Sequence, residues 1–181
     1  MSPIMRNKMG SAAPFWKKRL KQEILAAKKI VVLAVGNKSK GDDAAGIVCA
    51  EKLKKLVWGK ARSRLKILLG SETPESLTGE IRKFRPDLVL ILDAAQGTHQ
   101  PGTVFIVEKD QIRDEGVSTH KISLALLVSY LEETVGCKVI VLGIQPLNLC
   151  EGAMMSVRIE KSAKKLTEYL ASLFFPEGLF Q

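Results

Sequence analysis

Residues 30–35 read IVVLAV, an uncharged and largely β-branched run that stops at Gly36 and Asn37 before the chain restarts as a helix carrying Asp42 and Asp43. Such a run suits a strand covered on both faces, as in a parallel sheet. Gly41 permits a backbone closed to other residues, and Asp42 is placed to cap the helix that follows. The apolar side of that helix is Ala45, Ile47, Val48, Leu53 and Leu56. Strand, glycine loop and helix in this order put two carboxylates at the carboxyl end of a central strand, where open α/β sheets bind their ligands.

The spacing of Gly36 and Gly41 matches the first half of a phosphate-binding loop. That loop needs Lys and then Ser or Thr after its second glycine, and here Asp42 and Asp43 stand there and repel a nucleotide. Gly36, Gly41 and Gly46 are also spaced wrongly for a dinucleotide fingerprint. A nucleotide-binding regulator is therefore disfavoured. The two acids can also be helix caps and nothing more.

A length of 181 residues with 46% hydrophobic content fits one domain spanning 1–181. Residues 1–13 are expected to be disordered and 14–28 to form an added N-terminal helix, with Phe15, Leu20, Ile24 and Leu25 on its inner side. No apolar run is long enough to span a bilayer and no secretory signal is visible, which points to the cytoplasm and away from a membrane partner. Cys49, Cys137 and Cys150 form no paired motif and read as buried thiols. The net charge of +9 gathers in stretches such as WKKRLK and KARSRLK without interleaved aromatics. This favours a solvated basic face over a nucleic-acid partner.

Further apolar runs at 65–69, 88–92 and 137–142 alternate with helical patterns ending near Phe84, at 122–135 and at 156–174, and 103–107 reads as a short edge strand. The inner side of the 122–135 helix is expected to be Ile122, Leu126, Leu127, Tyr130 and Leu131. The pattern predicts a three-layer α/β fold with a twisted, mostly parallel five-stranded sheet and one antiparallel edge strand. If the third strand lies across the first from the second, the loops after strands one and three flank the switch point, and Asp43 faces Asp93 there.

Two carboxylates in one cleft call for a proton, a cation or a water between them. His120, just ahead of the 122–135 helix, is the candidate third metal ligand, with His99 in the loop after Asp93 as its rival. On spacing alone His120 can equally be a helix cap. One imidazole and two carboxylates suit nickel, zinc, cobalt or manganese. No Ser or Cys sits in a nucleophile elbow, which leaves water activated by a carboxylate or a metal as the route to hydrolysis.

Five motifs in order, GNKSKGDDAAG, GSETPES, LILDAAQGTHQPG, STHKISL and LGIQP, resemble the [NiFe]-hydrogenase maturation endopeptidases, in particular the formate hydrogenlyase type. The resemblance covers 30–174. It implies a phosphorylase/hydrolase-like sheet between helices and removal of a C-terminal peptide from the hydrogenase large subunit precursor once nickel is inserted. It implies Asp43 and Asp93 as catalytic acids, and Asp43, Asp93 and His120 as the residues that contact nickel. The nickel would come from the substrate, with zinc, cadmium or calcium as surrogates, and the protein would act as a monomer. A maturation chaperone that binds nickel or the large subunit without cleaving would share these ligands. Two departures stand out: Ala44 replaces the glycine usual after the second acid, and Lys38 and Lys40 replace apolar loop residues.

Overall fold

A computed structural model describes residues 13–59, 63–112 and 124–176. The five strands are β1 (Ile30–Val35), β2 (Leu65–Ser71), β3 (Leu88–Ala94), β4 (Val104–Val107) and β5 (Lys138–Ile144). They form one sheet in the order β2-β1-β3-β5-β4. All pairs are parallel except β4 with β5, so the short strand at the edge is the antiparallel one, as expected. The central pair β1 and β3 runs in register from Ile30 opposite Leu88 to Ala34 opposite Leu92.

Alternation along these strands divides the core into two halves. On one face Ile30, Val32 and Ala34 of β1 and Leu88, Leu90 and Leu92 of β3 pack with the helices α1 (Ala13–Ala26), α2 (Ala45–Leu56) and α6 (Val157–Phe174). On the other, Val31, Leu33, Val35, Val89 and Ile91 pack with α3 (Thr78–Phe84), α4 (Lys109–Ile112) and α5 (Leu124–Tyr130). Strands buried on both faces need no polar residues, which is why β1 and β3 read as unbroken apolar runs.

Leu56, expected on the apolar side of α2, is exposed at the last turn of that helix, and three further expectations need correction. On α1, Phe15 and Leu25 are exposed; Leu20 and Ile24 are buried as expected, joined by Trp16 and Ala27. The face is set by what α1 covers: Trp16 meets Tyr169 of α6 edge-on at 5.6 Å, Arg19 makes two hydrogen bonds to Glu108 just beyond β4, and Glu23 pairs with Lys138 of β5. On α5, Leu126 faces solvent and Tyr130 is only partly buried, while Leu124, Val128, Leu127 and Leu131 turn inward. The helix widens into a π-helical turn, Leu131–Val135, before Gly136 (φ 72°) ends it. Ile122 lies outside the described residues.

The third correction concerns the cysteines, since Cys150 is exposed and only Cys49 and Cys137 are buried. Burial pushes Cys49 up to about 12 and Cys137 up to about 11. Both thiols therefore keep their protons at neutral pH. A thiol reagent at neutral pH is expected to label the folded protein at Cys150 alone, with all three cysteines reacting only in denaturant; equal labelling in both states would contradict the burial. Because the folded values are raised, the contribution of these thiols to stability is complete below their ordinary value near 9 and declines as the pH climbs toward 12.

Candidate active site

With β3 on the opposite side of β1 from β2, the loops following β1 and β3 meet at the switch point of the sheet. Gly36, at φ 144°, turns the chain out of β1, and a Cβ on it would lie 2.1 Å from the carbonyl oxygen of Asp43. Only glycine lets the two segments approach so closely. The backbone N–H of Asn37 then donates to Asp43 Oδ2 at 2.7 Å, while its side chain accepts from Ser39 N and donates to Glu72 beyond β2. Asn37 thus fixes both the loop and the acid. Its signal in the sequence is an asparagine directly after a strand-ending glycine, where Asx turns are favoured.

Asp42 and Asp43 sit in a 3-10 turn, Gly41–Ala44, that leads into α2. Asp42 does not cap the helix as its position predicts. Its carboxylate reaches instead to the loop between β5 and α6, accepting from Leu147 N (2.9 Å), Asn148 N (2.8 Å), Ser156 N (2.6 Å) and Ser156 Oγ (3.0 Å). The main chain doubles the link, with Gly41 N donating to Ala153 O and Asp42 N to Asn148 O. Asp42 is a fastener. Asp43 is held separately, by the amide of Asn37 in the loop after β1.

Asp43 is 1% exposed and Asp93, near the end of β3, is 0% exposed. The 3-10 turn lies against β3, so both acids occupy the same end of the sheet. Gly46 makes that possible: a Cβ there would fall 2.3 Å from Leu92 O and 2.7 Å from Val35 O, so the first turn of α2 rests directly on the strand ends. By alternation Asp93 shares the face of Val89 and Ile91, the face that α5 covers. The loop after Asp93 is secured from β5 by Gln145, whose side-chain oxygen accepts from Gly97 N at 2.8 Å. Gln145 and Asn37 are both supports that sequence reading missed.

His120 lies outside the described residues, so its placement adds nothing to the site. His99, the rival ligand, packs its ring on Phe105 of β4 with centroids 4.3 Å apart. Among the described residues no group of three or more His, Cys, Asp or Glu side chains could hold a metal ion. Ala44 has ordinary right-handed helical angles (φ −68°, ψ −10°), so its replacement of glycine costs no strain. Lys38 is paired with Glu51 of α2 at 2.6 Å. A groove of about 810 Å³ between α2 and α6, lined by Lys52, Leu56, Lys164 and Thr167, lies away from the acids.

A doubly wound sheet with two buried carboxylates at its switch point places this chain among the open α/β proteins whose site lies at the carboxyl ends of the strands. Residues 47–173 match the family model of the hydrogenase maturation proteases. A Methanocaldococcus jannaschii protein provisionally named a hydrogenase maturation protease is 31% identical over 162 residues, which is 87% of this chain and 95% of that relative. The hydrogenase 3 maturation protease of Escherichia coli K12 is 37% identical over 117 residues, 64% of this chain and 72% of its own. The crystal structure of a [NiFe] hydrogenase maturation protease from Thermococcus kodakarensis superposes with a TM-score of 0.79 at 34% identity, covering 86% of this chain and 98% of that one. The chain belongs to the hydrogenase maturation protease family, and it is an endopeptidase of hydrogenase maturation.

Proposed function

We propose that this endopeptidase removes the C-terminal peptide of a [NiFe]-hydrogenase large subunit precursor after nickel insertion, in the cytoplasm, as a checkpoint on loading. Asp43, Asp93 and His120 engage the nickel that the substrate brings. One of the two carboxylates takes a proton from the water that attacks the scissile carbonyl carbon; the C–N bond then breaks and the leaving amine takes up a proton. The observation that carries this reading is the burial of two acids, Asp43 and Asp93, at the switch point of the sheet. Two carboxylates buried at one end of the sheet suit the approach of a cation such as the nickel that the substrate would bring.

The test is the intact mass of the precursor, nickel-loaded or nickel-free, after incubation with this protein. Loss of a C-terminal peptide is expected only from the loaded form. His120→Ala is expected to abolish that loss and His99→Ala to preserve most of it. Equal cleavage of loaded and nickel-free precursor would overturn the checkpoint, and an unchanged mass with persistent binding would leave a chaperone.

A further inference from the structure

The loop that Asp42 fastens is bonded to the turn that carries both Asp42 and Asp43, and it presents large apolar side chains to solvent. Leu147 is 62% exposed, Met154 90% and Val157, the first residue of α6, 67%. Their exposure is imposed by hydrogen bonding. Leu147 N and Ser156 N both donate to the one Asp42 carboxylate, which places the two amides within roughly 8 Å of each other. Met154 follows Ala153, whose carbonyl holds Gly41 N, and Gly152 N donates to Ser39 O at 2.6 Å. Leu147, Met154 and Val157 therefore belong to one patch on a backbone that cannot tuck them under. Single exposed apolar residues are ordinary on protein surfaces, whereas several gathered on one fastened loop mark a site of association.

We propose that Leu147, Met154 and Val157 form the surface on which the folded protein substrate docks, accepting an apolar segment of the large subunit precursor beside the bond to be cut. This rests on the function proposed above. The occupant follows from continuity with the crevice: Asp42, which anchors the patch, is the chain neighbour of Asp43. A protein that delivers a peptide bond to Asp43 must cover this loop as it does so. A strongly exposed aromatic near α2, Trp58 at 72%, stands beyond the far end of that helix, about 18 Å along its axis from the crevice. It serves as the control.

Binding of nickel-loaded precursor is measured to the Asp93→Ala protein, in which turnover is expected to be lost, with and without Leu147→Ser, Met154→Ser and Val157→Ser together, the two compared in that same background. The triple substitution is expected to weaken binding by about tenfold or more, and Trp58→Ser to leave it unchanged. In the cleaving protein the same triple should raise KM by the same factor with kcat preserved. Met154→Ser alone, at the most exposed position, repeats the test without risk to folding and should give a smaller rise in KM. If the triple variant binds and is saturated like its parent while the precursor is still cut, the docking surface is wrong and the peptidase reading stands. If the unmutated protein neither binds nor cuts the precursor, both fall together.

Discussion

Asp93→Ala is expected to remove processing of the precursor, by about a thousandfold or more, while the protein stays folded. The strand does not need this side chain. Asp93 pairs with Gly143 of β5 through the backbone, and that ladder is unaffected by what the Cβ carries. Alanine is also easily housed where a fully buried carboxylate had to be accommodated beside the turn that carries Asp43. The chemistry has no such substitute. With one acid gone, the pair no longer offers both a base for water and a second oxygen donor for a metal-bearing substrate. Precursor mass and the far-ultraviolet circular dichroism melt, recorded on the same sample, decide the matter. Normal turnover in a folded variant would sink the assignment of the site.

A second substitution, Asp42→Ala, is expected to behave in the opposite way and cost about 3–5 kcal/mol of stability. It removes the acceptor of four hydrogen bonds at once and strands the amides of Leu147, Asn148 and Ser156 next to a cavity. Ser156→Ala deletes only the hydroxyl bond and should cost about 1 kcal/mol. Urea unfolding followed by tryptophan fluorescence separates the two by their midpoints. An unchanged midpoint for Asp42→Ala would show that the loop between β5 and α6 is not held by this carboxylate. With the expected shift, Asp42 and Asp93 differ in kind: the loss of Asp93 spares the fold and the loss of Asp42 undoes it.

That difference was invisible in the sequence, and the reason is physical. β1, β3 and β5 could be read almost to the residue because strands buried on both faces tolerate only apolar side chains, and Asp93 stood out as the acid at the end of one of them. The short antiparallel edge strand β4 followed from pattern, whereas the placement of β3 across β1 from β2 was only a condition in the sequence that the structure supplies. The job of Asp42 depends on a partner loop more than a hundred residues away, which no local rule contains; judged locally it was a helix cap. Asn37 and Gln145 escaped for the same cause, since each acts by hydrogen bonds to a segment remote in sequence. On α1 a helical period was correctly found but its phase was misjudged at Phe15 and Leu25. The buried face there is chosen by β4 and α6 and not by the helix itself.

The pairing of β1 with β3 also governs when the enzyme can exist. Ile30 meets Leu88 and Ala34 meets Leu92 across a long intervening crossover, and the floor of the crevice is made of those two strand ends. β4, though earlier in the chain than β5, has no partner in the sheet until β5 has been laid down beside β3. Contacts of such separation form late and slowly, because chain entropy must be lost before they give anything back. A nascent or half-folded copy therefore carries both aspartates and no peptidase. The order of assembly is its own safeguard against premature cutting.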